Sequence, residues 1–200
     1  MATIQIDGRQ IKDSSITDAK LTTSLAWYLI EDQNLVSADA VSFDFTSIAA
    51  TYKHLKLIVS VRTDRAAQPS DKFNLKVNND GTAGNYFSMV TALYHSGVQS
   101  SEEFLGTNSP VSVAYALAAT SPASAFAEYE MTFPDYANAN KLKDFQIRGG
   151  GRFTTGTGNL QMFDGIGQWA STTAISRLTL TPNLGTNFKQ YSRATLYGLK

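Results

Sequence analysis

Five stretches of this chain gather residues that could do chemistry, and each is weighed first for the reaction or ligand it would serve. Asn78-Asn79-Asp80-Gly81 offers clustered oxygen donors of the kind that hold calcium. An EF-hand loop also needs a downstream acidic residue to close the coordination, and none follows, so a plain hairpin turn is the better reading. Glu128 and Glu130 could form the carboxylate pair of a glycosidase, since alternate strand residues share one face about 7 Å apart. Glu102 and Glu103 are adjacent, and in a strand they point to opposite faces. A solvated sheet face explains the first pair without catalysis. The glycine-rich stretches Gly149-Gly150-Gly151 and Gly156-Thr157-Gly158 lack the Gly-Lys-Ser/Thr ending of a phosphate loop, and no helical pattern follows them.

The remaining reactive side chains are sparse. There are two His residues, His54 and His95, and no Cys, which excludes disulfide scaffolds, thiolate zinc sites and cysteine nucleophiles. His95 lies in Leu-Tyr-His-Ser-Gly, with no Gly-x-Ser-x-Gly elbow anywhere in the chain. His54 precedes a strand and reads as a surface or edge residue. Trp27, Tyr28, Tyr86, Phe87, Tyr94, Tyr115, Trp169 and Tyr191 could stack on sugars where exposed, but a two-sheet core or a subunit interface also needs large rings. No catalytic, cofactor-binding or metal-binding residue is assigned. The chain is expected not to be an enzyme.

Charge narrows the partners. Lys plus Arg and Asp plus Glu balance at 17 each, so no excess of cations is available for nucleic acid or an anionic membrane. The first residues lack the basic and apolar regions of a signal peptide, and no apolar run approaches the roughly 20 residues of a spanning helix. A soluble protein is expected.

The elements that would position these residues are strands. Leu55, Leu57, Val59 and Val61 alternate with Lys56, Ser60 and Arg62. Phe73, Leu75 and Val77 repeat the pattern up to the Asn79-Asp80-Gly81 turn. Tyr129, Met131 and Phe133 do so up to Pro134, which has no N–H to continue a ladder. Phe145 and Ile147 lead into Gly149–Gly151, where missing side chains permit a bulge, a bend or a close neighbour. Val41, Phe43 and Phe45 form a further set. Ala174–Thr181 and Phe188–Leu199 close the chain on either side of a Pro182-Asn183-Leu184-Gly185 turn. About ten short strands with turn signals between them, and no helical stripe, predict an all-β antiparallel sandwich or jelly roll.

Residues 1–24 read differently. Ile4, Ile6, Ile11, Ile16 and Leu21 are isolated apolar residues in polar sequence. They suit a short extended arm that docks each one into a groove on a neighbour. Ser15 and Asp18 resemble a capping box, consistent with one helical turn over 17–21. The expected organisation is an anchoring arm over 1–24 and a β-sandwich domain over 25–200.

Several segments, in order, resemble those of tailed-bacteriophage virion structural proteins. The opening Ile6-Asp-Gly-Arg-Gln-Ile-Lys-Asp-Ser-Ser-Ile-Thr-Asp-Ala-Lys-Leu21 resembles the attachment segments of fibre and capsid-decoration proteins. Thr51–Asp64, Val77–Tyr86, Ala174–Leu180 and Ser192–Leu199 are similar to a recurring β-rich virion domain. The resemblance implies an arm fixed to the particle and an outward-facing β domain, often trimeric. It carries no catalytic residue. The partners it implies are other virion proteins, such as the major capsid protein or tail and portal proteins, and further copies of this chain. The expected location is the particle surface, after synthesis in the host cytoplasm. A head-decoration or head-fibre role fits the short arm and single domain, and a tail-fibre or receptor-binding role would add a host glycan.

Overall fold

A computed structural model describes residues 26–82, 84–95, 97, 99–105, 111–154 and 160–200; the description of Gln99 and of residues 102–105 is confined to the backbone. The five apolar residues of the proposed arm, and its helical turn, lie outside these residues.

The described residues form β1 (Trp27–Asn34), β2 (Phe43–Phe45), β3 (His54–Val61), β4 (Ser70–Val77), β5 (Tyr86–Tyr94) and β6 (Gln99–Leu105). They continue as β7 (Val111–Leu117), β8 (Ala127–Pro134), β9 (Lys143–Arg152), β10 (Leu160–Trp169), β11 (Leu178–Pro182) and β12 (Arg193–Leu199). The protein is an all-β sandwich. An eight-stranded antiparallel sheet, β1-β12-β3-β8-β9-β10-β5-β6, packs against a four-stranded one, β2-β11-β4-β7. If the β9–β10 hairpin and the flanking β1 and β12 are set aside, β2-β11-β4-β7 faces β3-β8-β5-β6. Successive strands cross between sheets in the winding of a jelly roll.

The alternation read from the sequence decides which face is buried. Leu55, Leu57, Val59 and Val61 of β3, Phe73, Leu75 and Val77 of β4, and Tyr129, Met131 and Phe133 of β8 all point between the sheets and are buried. Rings fill the interior: Phe73 meets Tyr129 at 5.5 Å between centroids, and Phe133 meets Phe145 at 5.7 Å. The edges of the two sheets are joined by a side chain acting as backbone. Gln33 of β1 donates through Nε2 to the Asp44 carbonyl of β2 at 2.9 Å and accepts from the Asp44 N–H at 3.1 Å.

The glycines of β9 and β10 serve close approach rather than a bulge, since the β8–β9 ladder runs in unbroken register through Gly149 and Gly150. A Cβ on Gly149 would stand 1.9 Å from the Glu128 carbonyl oxygen, and one on Gly167 would stand 2.1 Å from the Phe145 ring.

Four sequence expectations need correction. Asn78-Asn79-Asp80 is not a hairpin turn, because β4 and β5 belong to different sheets. Asn78 and Asn79 take positive φ, at 50° and 57°, and the turn carries the chain across the sandwich. Residues 174–177 precede β11 instead of extending it. Asn78 explains this: its Oδ1 accepts from the N–H groups of Ser176 and Arg177, and its Nδ2 donates to the Ala174 carbonyl, so a side chain replaces the ladder. Phe188 likewise lies before β12, in isolated bridges to Ala40 and Thr63. Val41 stands outside β2 and is exposed, while Phe43 and Phe45 behind it are buried.

Candidate functional site

Each chemical candidate now has a place. Asp80 is engaged by protein donors: Trp169 Nε1 at 2.7 Å, Asn85 Nδ2 at 2.8 Å and the Thr82 N–H at 2.8 Å. Partial burial acts to raise its pKa, but these hydrogen bonds prevail and hold the carboxylate well below the usual range. The oxygens that would ligate calcium therefore fasten the inter-sheet turn to the end of β10. Among the described residues no three His, Asp or Glu side chains gather in a metal-holding group.

Glu128 and Glu130 do share the outer face of β8, as their spacing requires, and both are exposed. Neither faces a cleft with the other. Glu128 accepts from Ser60 Oγ at 2.7 Å, and Glu130 pairs with Lys56 at 3.0 Å. His54 is the first residue of β3, an interior strand of the large sheet rather than an edge, and its Nδ1 accepts from the Asp135 N–H at 3.1 Å. The side chains of Glu102 and Glu103, and the Gly156–Gly158 stretch, lie outside the described residues.

Sequence reasoning passed over two buried charged residues, Asp71, which accepts from the N–H groups of Leu184 and Gly185, and Lys143. Lys143, 1% exposed, donates from Nζ to the carbonyls of Asn138, Lys141 and Thr172 at 2.6, 2.6 and 2.9 Å. Burial lowers its pKa, yet all three ammonium donors are satisfied by backbone, so the residue closes two loops. Arg62 does similar work, with its guanidinium donating to the carbonyls of Pro122, Ala125, Ala119 and Ser121.

What the fold leaves open is the outer face of the eight-stranded sheet. On β5 and β10, adjacent in register, Phe87, Met89, Leu93, Leu160, Met162 and Ile166 point outward. Met89 is 51% and Ile166 57% exposed, far from the core burial their types favour. A shallow depression of about 630 Å3 runs between Phe87, Met89, Ile166 and Pro134. Contiguous apolar side chains on a solvent-facing sheet mark an interaction surface.

The centre of the same face carries alternating charge. Glu130 on β8 stands directly opposite Arg148 on β9, and Arg148 opposite Asp164 on β10. With Lys56 on β3, the order across four neighbouring strands is plus, minus, plus, minus.

A second depression lies at the β1 side of the face, lined by Tyr191, Tyr197, Ile58, Ser60, Glu128 and Arg193. Tyr191 is 64% exposed and adopts φ 71°, a left-handed conformation that side-chain-bearing residues rarely take. The sugar-stacking candidates thus divide. Tyr86 and Trp169 are buried, Tyr94 and Tyr115 pack against the core, and Trp27, Phe87 and Tyr191 are exposed.

No family model matches the chain, and none of the curated proteins matches it.

Proposed function

We propose that this protein is a structural component of a tailed-bacteriophage particle, decorating the head as a capsid-decoration or head-fibre protein. In this reading Ile4, Ile6, Ile11, Ile16 and Leu21 anchor the arm on other virion proteins, and the β domain associates with further copies at the particle surface. The observation that carries the assembly role is the exposed apolar row Phe87, Met89 and Ile166 on a large sheet face. The particle itself is supported by the segments in which the sequence resembles virion proteins. Deleting residues 1–24 tests the attachment: the shortened protein should fold and no longer co-sediment with particles. Attachment that survives the deletion contradicts the reading.

A second reading draws on the Tyr191 depression. Exposed tyrosines beside Arg193 and Glu128 offer a ring face and hydrogen-bonding groups to a sugar, as a tail-fibre or receptor-binding module would need. Its test is a glycan array with the unaltered protein and Tyr191→Ala. Binding lost in the variant supports this reading, and a blank array removes it.

A further inference from the structure

We propose that the exposed apolar row on β5 and β10 is the dock for the N-terminal arm of a neighbouring copy of this chain, with Leu21, Ile16 and Ile11 laid along it in turn. This rests on reading the outer face as an assembly surface and names what covers it. Ile4 and Ile6, farther out on the arm, stay available to the particle.

The apolar row comes in two pairs. In register, Met89 stands opposite Ile166 and Leu93 opposite Met162, and Thr91 opposite Asp164 separates them. Phe87 extends the first pair, and all five apolar side chains are exposed. Four residues along a strand set the pairs about 13 Å apart. The arm residues at 11, 16 and 21 fall five apart in sequence, which spans at most about 17 Å of extended chain. Two successive ones can therefore occupy the two pairs, with the polar residues between them passing over Thr91 and Asp164.

Where the arm joins the domain decides whose face it reaches. It joins at β1, one edge of the large sheet, whereas β5 lies beside the opposite edge. Leu21 stands six residues ahead of Trp27, a reach of about 20 Å. On its own sheet, β10 and β5 are five and six strand spacings from β1, about 24 and 29 Å. A crossing of that reach leaves Leu21 over β8 and β9, on Glu130 and Arg148, where an aliphatic side chain strips water from charges. A neighbour set edge to edge brings its β6 beside β1. Its β5 and β10 then lie two and three spacings away, about 10 and 14 Å, well within the reach of Leu21.

Two further features favour this placement. The strands of the large sheet alternate in direction from β1 to β6, so the two edges run oppositely and neighbouring sheets abut in the same antiparallel sense. Trp27 and Leu29, both exposed on β1, continue the apolar row across the junction. The contact is head-to-tail, the arm of one copy on the face of the next, and a closed ring of copies satisfies every arm and every dock.

The test is sedimentation equilibrium of the full chain, of two variants and of their mixture, each variant first shown to keep the circular dichroism of the unaltered protein. The unaltered chain should self-associate. Ile11→Asp, Ile16→Asp and Leu21→Asp together spoil the arm, and Ile166→Asp, with Met89→Asp as a second choice, spoils the dock. Each should weaken self-association roughly 100-fold. Mixed, arm and dock variants should form one-to-one pairs and nothing larger, because the intact arm of one fills the intact dock of the other. A mixture that stays monomeric, or an arm variant that associates like the unaltered chain, would overturn the proposal and leave the face as an assembly surface. An unaltered chain that is monomeric at every concentration would overturn both. Particle attachment is read separately, by deleting residues 1–24, so its outcome does not bear on the docking between copies.

Discussion

Trp169 donates its indole N–H to the Asp80 carboxylate across 2.7 Å, joining the last residue of β10 to the turn that leaves β4. The contact links the two sheets, and oxygens of the kind that could hold calcium serve as a structural latch. Asp80→Ala leaves the Trp169 N–H and the Asn85 amide without this acceptor. Unfolding in urea should show a loss of about 2 kcal/mol, with red-shifted Trp169 emission, and millimolar calcium should not move the melting temperature of the unaltered protein. A calcium-dependent rise would contradict the latch.

Acid should destabilise the fold through carboxylates whose pKa the folded state lowers. Hydrogen bonding from Arg177 lowers Asp44, and at Asp64 the hydrogen bonds from Asn187 and Thr186 outweigh a burial effect that acts to raise it. Asp80 is held low in the same way. An unfolded Asp titrates near pH 3.9, so the stability from these groups is fully present above about pH 4 and is lost as pH falls toward their folded values. Melting temperatures between pH 6 and pH 2 should therefore fall mainly below pH 4. Asp80→Asn should show a shallower decline, and an identical acid limb in that variant would count against the assignment.

Gly167 is required by a ring. A Cβ there would meet Phe145 at 2.1 Å, and Phe145 is itself buried between the sheets. Gly167→Ala should cost about 2 kcal/mol or more by overpacking. Adding Phe145→Leu should recover part of that loss, giving a favourable coupling of about 1 kcal/mol in the double-mutant cycle. Strict additivity would mean that the two side chains do not compete for the same space.

Tyr191 holds a left-handed backbone at φ 71° while exposing its ring. Glycine adopts that conformation without the Cβ penalty, so Tyr191→Gly should be neutral to about 1 kcal/mol stabilising in thermal unfolding. A loss greater than 1 kcal/mol would show that the ring contributes to folding rather than to the surface.

Much of the architecture was legible because one face of each strand is buried and the other wet. The alternations at Leu55–Val61, Phe73–Val77 and Tyr129–Phe133 place β3, β4 and β8, and Pro134 ends β8 as its missing N–H dictates. The exposed apolar surface was hidden for the same reason. On β10 the outward positions hold Met162 and Ile166 while the inward ones include Gly165 and Gly167, which inverts the expected pattern. On β5, Phe87, Met89 and Leu93 face outward, so apolar residues occupy both faces and the period of two fades. An apolar strand without clear alternation is itself a usable signal of a sheet with two covered faces. The charge order across β3, β8, β9 and β10 could not be read at all, because it arises only when four distant segments pair in register.

The most direct measurement uses the absence of cysteine in this chain. Thr132 and Gln146 stand opposite each other on the outer face of β8 and β9. A bulky group at either position stands over that face, whereas one at Lys76 of β4 stands on the outer side of the four-stranded sheet. A Gln146→Cys chain carrying a bulky maleimide should no longer associate with its own copies in sedimentation equilibrium, while the unaltered protein and a Lys76→Cys chain labelled in the same way should do so. Association that survives the label at Gln146, or that both labels abolish alike, would contradict the assignment of this face as the surface through which copies of the protein meet.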